Sequence, residues 1–464
     1  MKKSFYILSS VLLTAALFAG VILCIFGVFG TTSASAESVY ADEDQAADSV
    51  AVTPQSYENG IIETEDLFSK RDLAQTADLS DAVYLKLSDN EDLSIIEAGI
   101  YVISGTASEA TILVDAPDDA KVQLVLDSVS VTNVDFPCIY VKAADKVFIT
   151  TSSDSSLTVT GAFLTDGTVK TDAAVFSRSD IVFKGTAVLS IDSSKHGISG
   201  KDDIKITGGA YTITAVAHGI EANDSVRIAD GSLTVKAGKD AIHCENDDDD
   251  TLGYVYICGG TLEITAGDDG IHAVSAVQID DGDLQISAGE GVESTRVQIN
   301  GGTISITASD DGINAARKSS SFTPFVEING GEITISMGAG DTDGVDANGN
   351  ITINGGTVSV TGMSTFDYDG TGVINGGTVI CNGEQVTSLP NQQFGAMGWG
   401  APGGWGGHGG PDGKPDFNGT PPYDLPDDFP GGDFSGNFTD DFPEGFPDSF
   451  PSNDPQGQNP GDQL

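Results

Sequence analysis

A short turn rich in acidic residues recurs along the chain, each time just before a Gly-Ile or Gly-Val pair or its equivalent. Its carboxylates belong to Asp240, Asp269, Glu290, Asp311 and Asp343. If these turns stack at strand spacing, like charges about 5 Å apart repel one another unless a cation lies among them. Carboxylate oxygens with nearby turn carbonyls are the ligands that Ca²⁺ prefers. The pattern therefore predicts a calcium-binding column.

A second polar position follows each of these pairs, one residue after the Ile or Val. In a strand this residue faces away from the apolar side chain before it, so we expect the series to line one outer face. Asp346 occupies this position and is added to the predicted metal ligands. The other members are predicted to line a binding groove, and they are Glu221, His243, His272, Glu293 and Asn314.

Two insertions interrupt the repeat at the same corner, and loops at one corner of a repetitive fold usually wall a binding face. The first insertion, residues 246–250, extends the predicted calcium ligands to Glu245, Asp247 and Asp248. The second, residues 317–325, extends the predicted groove to Arg317 and Lys318. The alternative is that the Asp-Gly pairs only form turns and that the aspartate run is a solvated loop.

Two kinds of catalysis are compatible with these residues. The adjacent carboxylates Asp310 and Asp311 could act as acid and base of a glycosidase. Alternatively, bound Ca²⁺ could acidify a uronate so that a Lys or Arg abstracts a proton, which requires a base close to the metal. Between positions 240 and 381 the only such side chains are Arg296, Arg317 and Lys318. The pattern assigns no catalytic residue.

The elements that position these residues form a repeat. The Gly or Ala before the last Ile or Val falls at 197, 219, 241, 270, 291, 312 and 344, so the spacings are 22, 22, 29, 21, 21 and 32. Each repeat holds three short segments of alternating polarity, too short to pair with one another. Pairing in parallel with the equivalent segment one repeat later satisfies their backbone groups. The pattern predicts an all-β fold, a right-handed single-stranded parallel β-helix of about ten to twelve rungs with three short strands per rung.

An Asn residue precedes Gly-Gly at the same place in four repeats, at Asn300, Asn329, Asn354 and Asn375. We interpret these as corner residues, because Asn and Gly tolerate the left-handed backbone that such a corner needs. Hydrogen bonding between stacked Asn side chains is the second possibility.

Composition divides the chain into four parts. Residues 1–36 combine two lysines, a long apolar run and Ala-Ser-Ala, which predicts a signal peptide or an uncleaved N-terminal anchor. Residues 37–80 are acidic and without period, which predicts a disordered spacer. The β-helix is expected over 81–390, followed by a disordered tail, rich in Gly, Pro, Asp and Phe, over 391–464. We therefore expect a secreted or cell-surface protein.

The charge of the chain restricts its partners. A formal net charge of −48 argues against nucleic acids and anionic membranes and favours cations. The cysteines after residue 36 are scattered and are expected to be buried thiols, namely Cys138, Cys244, Cys258 and Cys381.

Two stretches carry a resemblance to a known family. They are TILVDAPDDAKVQLVLDSVSVTN at 111–133 and AGKDAIHCENDDDDTLGYVYICGGTLEITAGDDGIHA at 237–273. With related segments over roughly 80–380, the chain resembles bacterial secreted carbohydrate-binding β-helix proteins that look like pectate lyases. The resemblance places Asp240, Asp269 and the Asp-rich loop at the family's acidic motifs. Glu290-Gly291 in place of Asp-Gly and the Phe-rich tail depart from the family pattern.

The resemblance implies Ca²⁺ as cofactor and plant cell-wall polysaccharide, either cellulose or polygalacturonate, as partner. It also implies attachment near the cell envelope, and we expect a monomer. On this basis we predict a non-catalytic, calcium-dependent polysaccharide-binding protein. One alternative is a polysaccharide lyase or glycoside hydrolase that acts on uronate polymers. The other is a structural or adhesive surface protein.

Overall fold

Nearly all of the described chain is β-structure, which confirms the predicted all-β class. The computed structural model describes residues 60–338 and 342–391. Within them, one short α-helix, α1, covers Lys70–Leu73. The strands, in chain order, are β1 Val83–Lys86, β2 Leu93–Ile95, β3 Gly99–Ser108, β4 Ile112–Asp115, β5 Lys121–Asn133, β6 Ile139–Ala143, β7 Lys146–Thr151, β8 Ser155–Val159, β9 Thr165–Asp166, β10 Val169–Lys170, β11 Ala173–Ser177, β12 Asp180–Gly185, β13 Val188–Ser193, β14 His196–Gly200, β15 Asp203–Ala215, β16 Ile220–Ala222, β17 Ser225–Ala237, β18 Ile242–Cys244, β19 Tyr254–Ala266, β20 Asp269–Ala273, β21 Ala276–Ala288, β22 Glu290–Ser294, β23 Arg296–Ile299, β24 Thr303–Ala308, β25 Ile313–Ala315, β26 Phe325–Ile328, β27 Glu332–Met337, β28 Asp343–Ala347, β29 Asn350–Ile353, β30 Thr357–Thr361, β31 Ser364–Tyr368, β32 Gly372–Ile374, β33 Thr378–Cys381 and β34 Glu384–Val386.

Two sheets contain all but two of these strands. The larger sheet has 20 strands, and its pairings are parallel except where β33 meets β34. The second sheet has 12 strands in the order β2, β4, β6, β11, β14, β16, β18, β20, β22, β25, β28 and β31. Every neighbouring pair in it is parallel. The remaining two strands, β9 and β10, form an antiparallel hairpin.

The strand registers follow the sequence repeat. In the second sheet Ile220 pairs with Ile242, Ile242 with Ile271, and Ile271 with Val292. All four side chains are completely buried in one continuous apolar core. Because side chains alternate along a strand, the residue after each of them faces outward. The polar positions of successive repeats are thereby collected on one outer surface.

The first two segments of several repeats form one strand rather than the two short strands predicted. β15, β17, β19 and β21 are each 13 residues long. Gly209 and Gly260 have φ angles of 90° and 91°, which bend the chain while the strand continues. The pairing register shifts near both glycines, as it does at a β-bulge. A Cβ at Gly260 would lie only 2.9 Å from the carbonyl oxygen of Gly231.

In later repeats an Asn-Gly-Gly corner separates these segments, and its Asn side chains form a ladder. Asn329 donates to the Oδ1 of Asn300 over 2.8 Å, and Asn354 donates to Asn329 over 2.7 Å. Asn375 continues the series by donating to Asn354 over 2.8 Å. These residues are therefore corner formers that also hydrogen-bond to one another along the sheet.

Residues 60–76, which we name the N-terminal strap, lie across the outer face of the larger sheet. The backbone amides of Ile61 and Ile62 donate to Gln298 and Gln278. Leu67 packs in a small apolar cluster with Tyr256, Cys258 and other residues. The disordered spacer predicted over 37–80 is therefore wrong for residues 60–76. The sequence conceals this packing because the strap binds partners far along the chain and has no period of its own.

Other predicted segments are only partly covered by the structure. The signal peptide or anchor at 1–36, the spacer up to residue 59 and the tail from residue 392 lie outside the described residues. In residues 60–338 and 342–391, no helix has the length and apolar character needed to cross a membrane. The four cysteines in this part are free, and three of them are buried, as expected.

Candidate functional site

Two columns of polar side chains follow the outer face of the second sheet. The turn column lies two residues before each inward Ile or Val and comprises His196, His218, Asp240, Asp269, Glu290, Asp311 and Asp343. The strand column lies one residue after the same Ile or Val and comprises Ser199, Glu221, His243, His272, Glu293, Asn314 and Asp346. The repeat thus brings 14 residues, spread over positions 196–346 of the sequence, onto one narrow surface.

Four imidazole rings stack where the two columns begin. The ring centroids of His196 and His218 are 5.1 Å apart, and those of His218 and His243 are 4.4 Å apart. His272 continues the stack, 4.8 Å from His243. Burial lowers the pKa of His196 to about 4, so this ring is neutral at pH 7.

Carboxylates lie between and beside these rings. Oδ2 of Asp240 lies 2.7 Å from Nδ1 of His243 and 3.2 Å from Nδ1 of His218. Nδ1 of His272 lies 3.0 Å from Oδ2 of Asp269 and 2.9 Å from Oε2 of Glu293. Burial lowers the pKa of His272, but the bonds to these two carboxylates outweigh it and raise the pKa to about 10. His272 is therefore protonated at pH 7 and carries a positive charge between the two carboxylates.

A second cationic side chain contacts Glu293, and it comes from the insertion at residues 317–325. Nζ of Lys318 lies 2.5 Å from Oε1 of Glu293. Burial raises the pKa of Glu293, but the hydrogen bonds from His272 and Lys318 reverse this and lower it to about 2. The middle of the strand column is therefore neutralised by the protein's own side chains.

Farther along, the two columns contain oxygen ligands only. We name Glu290, Asp311, Asn314, Asp343 and Asp346 the oxygen-only end. Burial, with repulsion from Glu293 and Asp269, raises the pKa of Glu290 to about 8. Burial and neighbouring aspartates raise the pKa of Asp311 to about 6 and that of Asp346 to about 7. These carboxylates are thus held where their negative charge is poorly stabilised.

A basic cleft opens beside the first repeats of the columns. Its volume is about 520 Å³, and its lining includes both His196 and Glu221 of the columns. The hairpin of β9 and β10 supplies one side through Val169 and Lys170. Four cationic side chains line it, namely Lys170, Arg178, Lys195 and Lys201. Fully buried Phe176 also lines the cleft, and Nζ of Lys201 lies 5.9 Å from the centre of its ring.

Comparison with known proteins places the chain in a family. The family described as carbohydrate-binding domain-containing protein matches residues 89–297 and 291–387, more than half of the chain. The chain belongs to this family. A carbohydrate-binding domain-containing protein of Acetivibrio thermocellus is 36% identical over 244 residues, which cover 52% of this chain and 84% of the relative.

The carbohydrate-binding domain is also similar to a solved structure. That structure is a gadolinium derivative of the polysaccharide lyase-like protein from C. thermocellum. It is 33% identical and covers 48% of this chain and 96% of its own, with a TM-score of 0.43. The family match and the relative from Acetivibrio thermocellus confirm the family resemblance drawn from the sequence.

The two columns differ along their length in the donor atoms that they offer to a metal ion. At the oxygen-only end the buried atoms Asn314 Oδ1, Thr342 Oγ1 and Ser364 Oγ have no hydrogen-bond partner among the described residues. Asn314 pairs with Asp346 across the sheet, and Ser364 pairs with Asp343. Unpartnered oxygens beside carboxylates are the donor set of a hard cation. The histidine-containing part fits Ca²⁺ less well, since imidazole nitrogen suits transition metals.

Most of the predicted site residues meet in the two columns, but part of the first insertion does not. Glu245 reaches the site, because its Oε2 lies 3.3 Å from Nε2 of His243. Asp247 and Asp248 are exposed. In residues 60–338 and 342–391 they belong to no group of three or more acidic, His or Cys ligands, and the same is true of Asp311, Asp343 and Asp346. Asp247 and Asp248 stay predicted ligands, on an exposed part of the loop. Arg317 is likewise exposed.

The two insertions contact each other, as their shared corner predicts. Oδ2 of Asp250 accepts hydrogen bonds from the backbone amide and the hydroxyl of Ser320, over 2.7 and 2.6 Å. Ser321 donates to the other carboxylate oxygen of Asp250 over 2.5 Å. The loops therefore form a joined wall beside the columns.

Sequence reasoning missed the basic cleft and did not place His196 and His218 in the turn column. His196 and His218 each lie two residues before an inward Ile, the same place as Asp240, so the repeat contained the signal. The cleft depends on residues 160–172, where the repeat is interrupted and no spacing indicates which side chains converge. A separate acidic group, formed by Asp180, Asp202 and Asp203, was also missed.

Proposed function

We propose that this member of the carbohydrate-binding family is a calcium-dependent, non-catalytic binding protein for acidic polysaccharide. The basic cleft is the observation that carries the proposal. Four of the chain's 21 Lys and Arg residues line this one cleft in a protein of net charge −48. Two carboxylates also line it, Asp172, which is ion-paired with Lys195, and Glu221, so cations remain in excess. Such a concentration of cations suits the carboxylates of a polymer such as polygalacturonate, while cellulose has no charge for it to recognise.

The bound chain is proposed to extend from the cleft along the two columns. His196 and Glu221 line the cleft and also belong to the columns, so the two surfaces are continuous. Side chains of the strand column offer donors and acceptors to sugar hydroxyls at strand spacing. We propose this role for Glu221, His243, His272, Glu293 and Asn314, with Lys318 acting through its ion pair with Glu293.

Calcium is proposed to bind at the oxygen-only end. There Glu290, Asp311, Asp343 and Asp346 supply carboxylates. Asn314 supplies an amide oxygen that has no hydrogen-bond partner among the described residues. The ion would neutralise these buried acids and allow an acidic polymer to approach them. Asp240 and Asp269 lie beside imidazole rings and are weaker candidates for Ca²⁺.

We further propose that the chain winds as a right-handed parallel β-helix. Supporting this, strands pair in parallel with their equivalents one repeat later, and crossovers between parallel strands are right-handed in nearly all proteins. Export by residues 1–36 and retention at the cell surface remain part of the proposal, and they place the binding face where wall polysaccharide is found.

A catalytic role for Lys318 is disfavoured by its ion pair. A lysine that abstracts a proton needs a lowered pKa. Burial lowers the pKa of Lys318, but Glu293 outweighs this effect and raises it. Lysine in this position is therefore a poor general base and a suitable partner for carboxylates.

The direct test measures binding and product formation together. The protein is incubated with polygalacturonate or cellulose, with Ca²⁺ or with chelator, and cosedimentation is followed beside ultraviolet absorbance and reducing ends. We expect calcium-dependent retention on polygalacturonate without product. Formation of unsaturated product or reducing ends would establish an enzyme instead, and retention only by other wall components would indicate an adhesin.

Charge-neutralising variants test the cleft. We expect Arg178→Gln with Lys201→Gln to weaken binding to polygalacturonate by roughly 10-fold or more, since rim and cleft charges each contribute about 1 kcal/mol. Lys236→Gln is the matched control, because Lys236 is exposed on the larger sheet. An equal effect of the control would show that net charge, and not the cleft, governs binding.

A further inference from the structure

Three potential metal ligands converge where the histidine stack meets the turn column. Ligand atoms of His218, Asp240 and His243 all lie within 4.8 Å of one another. They come from consecutive repeats, because β16 and β18 are neighbours in the second sheet. His218 and Asp240 are buried, with 9% and 4% of their surface exposed, and the side chain of His243 is 15% exposed.

The carboxylate of Asp240 is oriented toward both rings. Its Oδ1 accepts a hydrogen bond of 3.1 Å from the backbone amide of Asp269. Its Oδ2 therefore points to the two Nδ1 atoms, 2.7 Å from His243 and 3.2 Å from His218. Two ligands bound to one tetrahedral ion at about 2.1 Å lie roughly 3.4 Å apart, so the His218 distance suits a shared ion and the His243 distance must lengthen by about 0.7 Å.

The imidazole rings of His243 and His218 have different hydrogen-bond surroundings. Nε2 of His243 lies 3.3 Å from Oε2 of Glu245, the arrangement in which a carboxylate holds the far nitrogen of a metal-binding histidine. Nδ1 of His218 is buried 3.2 Å from Oδ2 of Asp240, but the contact does not have the geometry of a hydrogen bond. Burying a polar nitrogen without a partner costs free energy that a bound ion would offset.

We propose that His218, Asp240 and His243 bind a divalent transition metal ion, with Zn²⁺ as the first probe. Two imidazole nitrogens and one carboxylate form a ligand set for zinc and related ions, whereas Ca²⁺ selects oxygen ligands. The site is distinct from the oxygen-only end, where we place calcium. Three protein ligands leave at least one position of a tetrahedral ion open for water or a sugar oxygen.

Calorimetric titration of the whole protein with Zn²⁺ tests this site. The protein is prepared without a polyhistidine tag and held in excess Ca²⁺, so that the oxygen-only end is saturated. We expect one Zn²⁺ site that Ca²⁺ does not displace, weakened roughly 100-fold or more in His218→Gln and in His243→Gln. In Glu245→Gln, which alters only the carboxylate behind His243, we expect about 10- to 100-fold weakening.

His196→Gln is the matched control, since His196 belongs to the same stack but to none of the metal-ligand groups in the described residues. Unchanged Zn²⁺ affinity in both His218→Gln and His243→Gln would overturn the proposal. If a variant fails to fold, the visible absorption spectrum of Co²⁺ bound to the unmodified protein tests the site instead. A spectrum that shows no nitrogen ligands on Co²⁺ would also overturn the proposal.

Retention on polygalacturonate is measured in the same variants. The metal proposal uses the columns described above but does not depend on polysaccharide binding. In Glu245→Gln, whose altered side chain belongs to neither column, weaker Zn²⁺ binding with intact calcium-dependent retention supports a separate site. If the unmodified protein binds Zn²⁺ but is not retained on polygalacturonate, the proposed function is wrong and the metal site is still supported.

Discussion

At the scale of single residues, the stacked carboxylates on the outer face have two different kinds of surroundings. Glu293 lies between two cations of the protein, 2.9 Å from His272 and 2.5 Å from Lys318. Asp346 instead has Asp311, Asp367 and Asp343 as its charged neighbours, which add to burial in raising its pKa to about 7. The same fold position is thus neutralised by cations of the protein in one repeat and surrounded by other carboxylates two repeats later.

This contrast predicts opposite effects of Asp346→Asn with and without calcium. Without Ca²⁺ the substitution removes a poorly stabilised charge, so we expect an unchanged or higher melting temperature. With Ca²⁺ it removes a ligand charge, so we expect roughly 10-fold weaker binding and a smaller calcium-induced rise in melting temperature. Differential scanning fluorimetry and calorimetric titration measure both effects.

Asp192→Asn serves as the control, because Asp192 is exposed on the larger sheet. Equal calcium affinity in Asp346→Asn and the unmodified protein would remove Asp346 from the ligand set. An equal loss in both variants would point to general charge attraction instead.

The candidate site was predictable where it follows the repeat. Asp269, Glu290 and Asp311 fall at one place in the period, so stacking could be read from spacing alone. The spacing of residues in the sequence does not show which charged side chains form ion pairs. Lys318 reaches Glu293 from an insertion, and its contact depends on the path of a loop rather than on a period.

At the scale of elements, the strap is the part of the fold that depends most on one buried residue. Asp72 is completely buried, 3.8 Å from Lys146 and 3.5 Å from Lys205. The same residue closes a capping box with Ser69 at the start of α1. The carboxylate therefore joins the short helix to two strands of the larger sheet.

We expect Asp72→Ala to lower the free energy of unfolding by about 3–5 kcal/mol. The substitution leaves the buried ammonium group of Lys205 without its partner, and breaking a buried ion pair from one side has this cost. Urea denaturation followed by circular dichroism measures the change. Asp78→Ala is the control, since Asp78 is exposed and is expected to change stability by less than about 0.5 kcal/mol. A stability equal to that of the control would show that the strap does not fold with the sheet.

The sheets were predictable and the strap was not, for a physical reason. Inward Ile and Val recur at the period of the repeat, and burial of that series determines the register of parallel strands. The strap makes single contacts to residues such as Lys205 and Tyr256, more than 130 positions away, and leaves no periodic trace. The corner between the first two segments was mispredicted because glycines at positive φ can bend a strand as readily as end it.

At the scale of the whole molecule, the net charge of −48 sets how the fold responds to ions. The columns concentrate part of this charge on one face, where strand pairing prevents the carboxylates from moving apart. A bound divalent cation reduces the repulsion locally and across the chain. Stability and ligand binding should therefore depend jointly on pH and on calcium.

Between pH 6.5 and 8, we expect the calcium-free protein to lose stability as the pH rises. The pKa values of Asp346, Glu290 and His272 are raised to about 7, 8 and 10, above their ordinary values. In this window the folded chain holds more protons than the unfolded chain, so the free energy of unfolding falls as pH increases. His196, with its pKa lowered to about 4, acts in the opposite direction only below about pH 6.5 and does not interfere.

Saturating Ca²⁺ should reduce or reverse this trend. An ion at the oxygen-only end stabilises the ionised carboxylates, and its affinity grows as protons cease to compete for the same oxygens. Melting temperatures at pH 6.5 and 8, with chelator and with Ca²⁺, test the coupling in four measurements. A calcium-free protein that becomes more stable toward pH 8 would contradict the raised pKa values. An identical pH trend with and without Ca²⁺ would place the ion elsewhere, because only an ion bound to these carboxylates can change how many protons the folded protein releases.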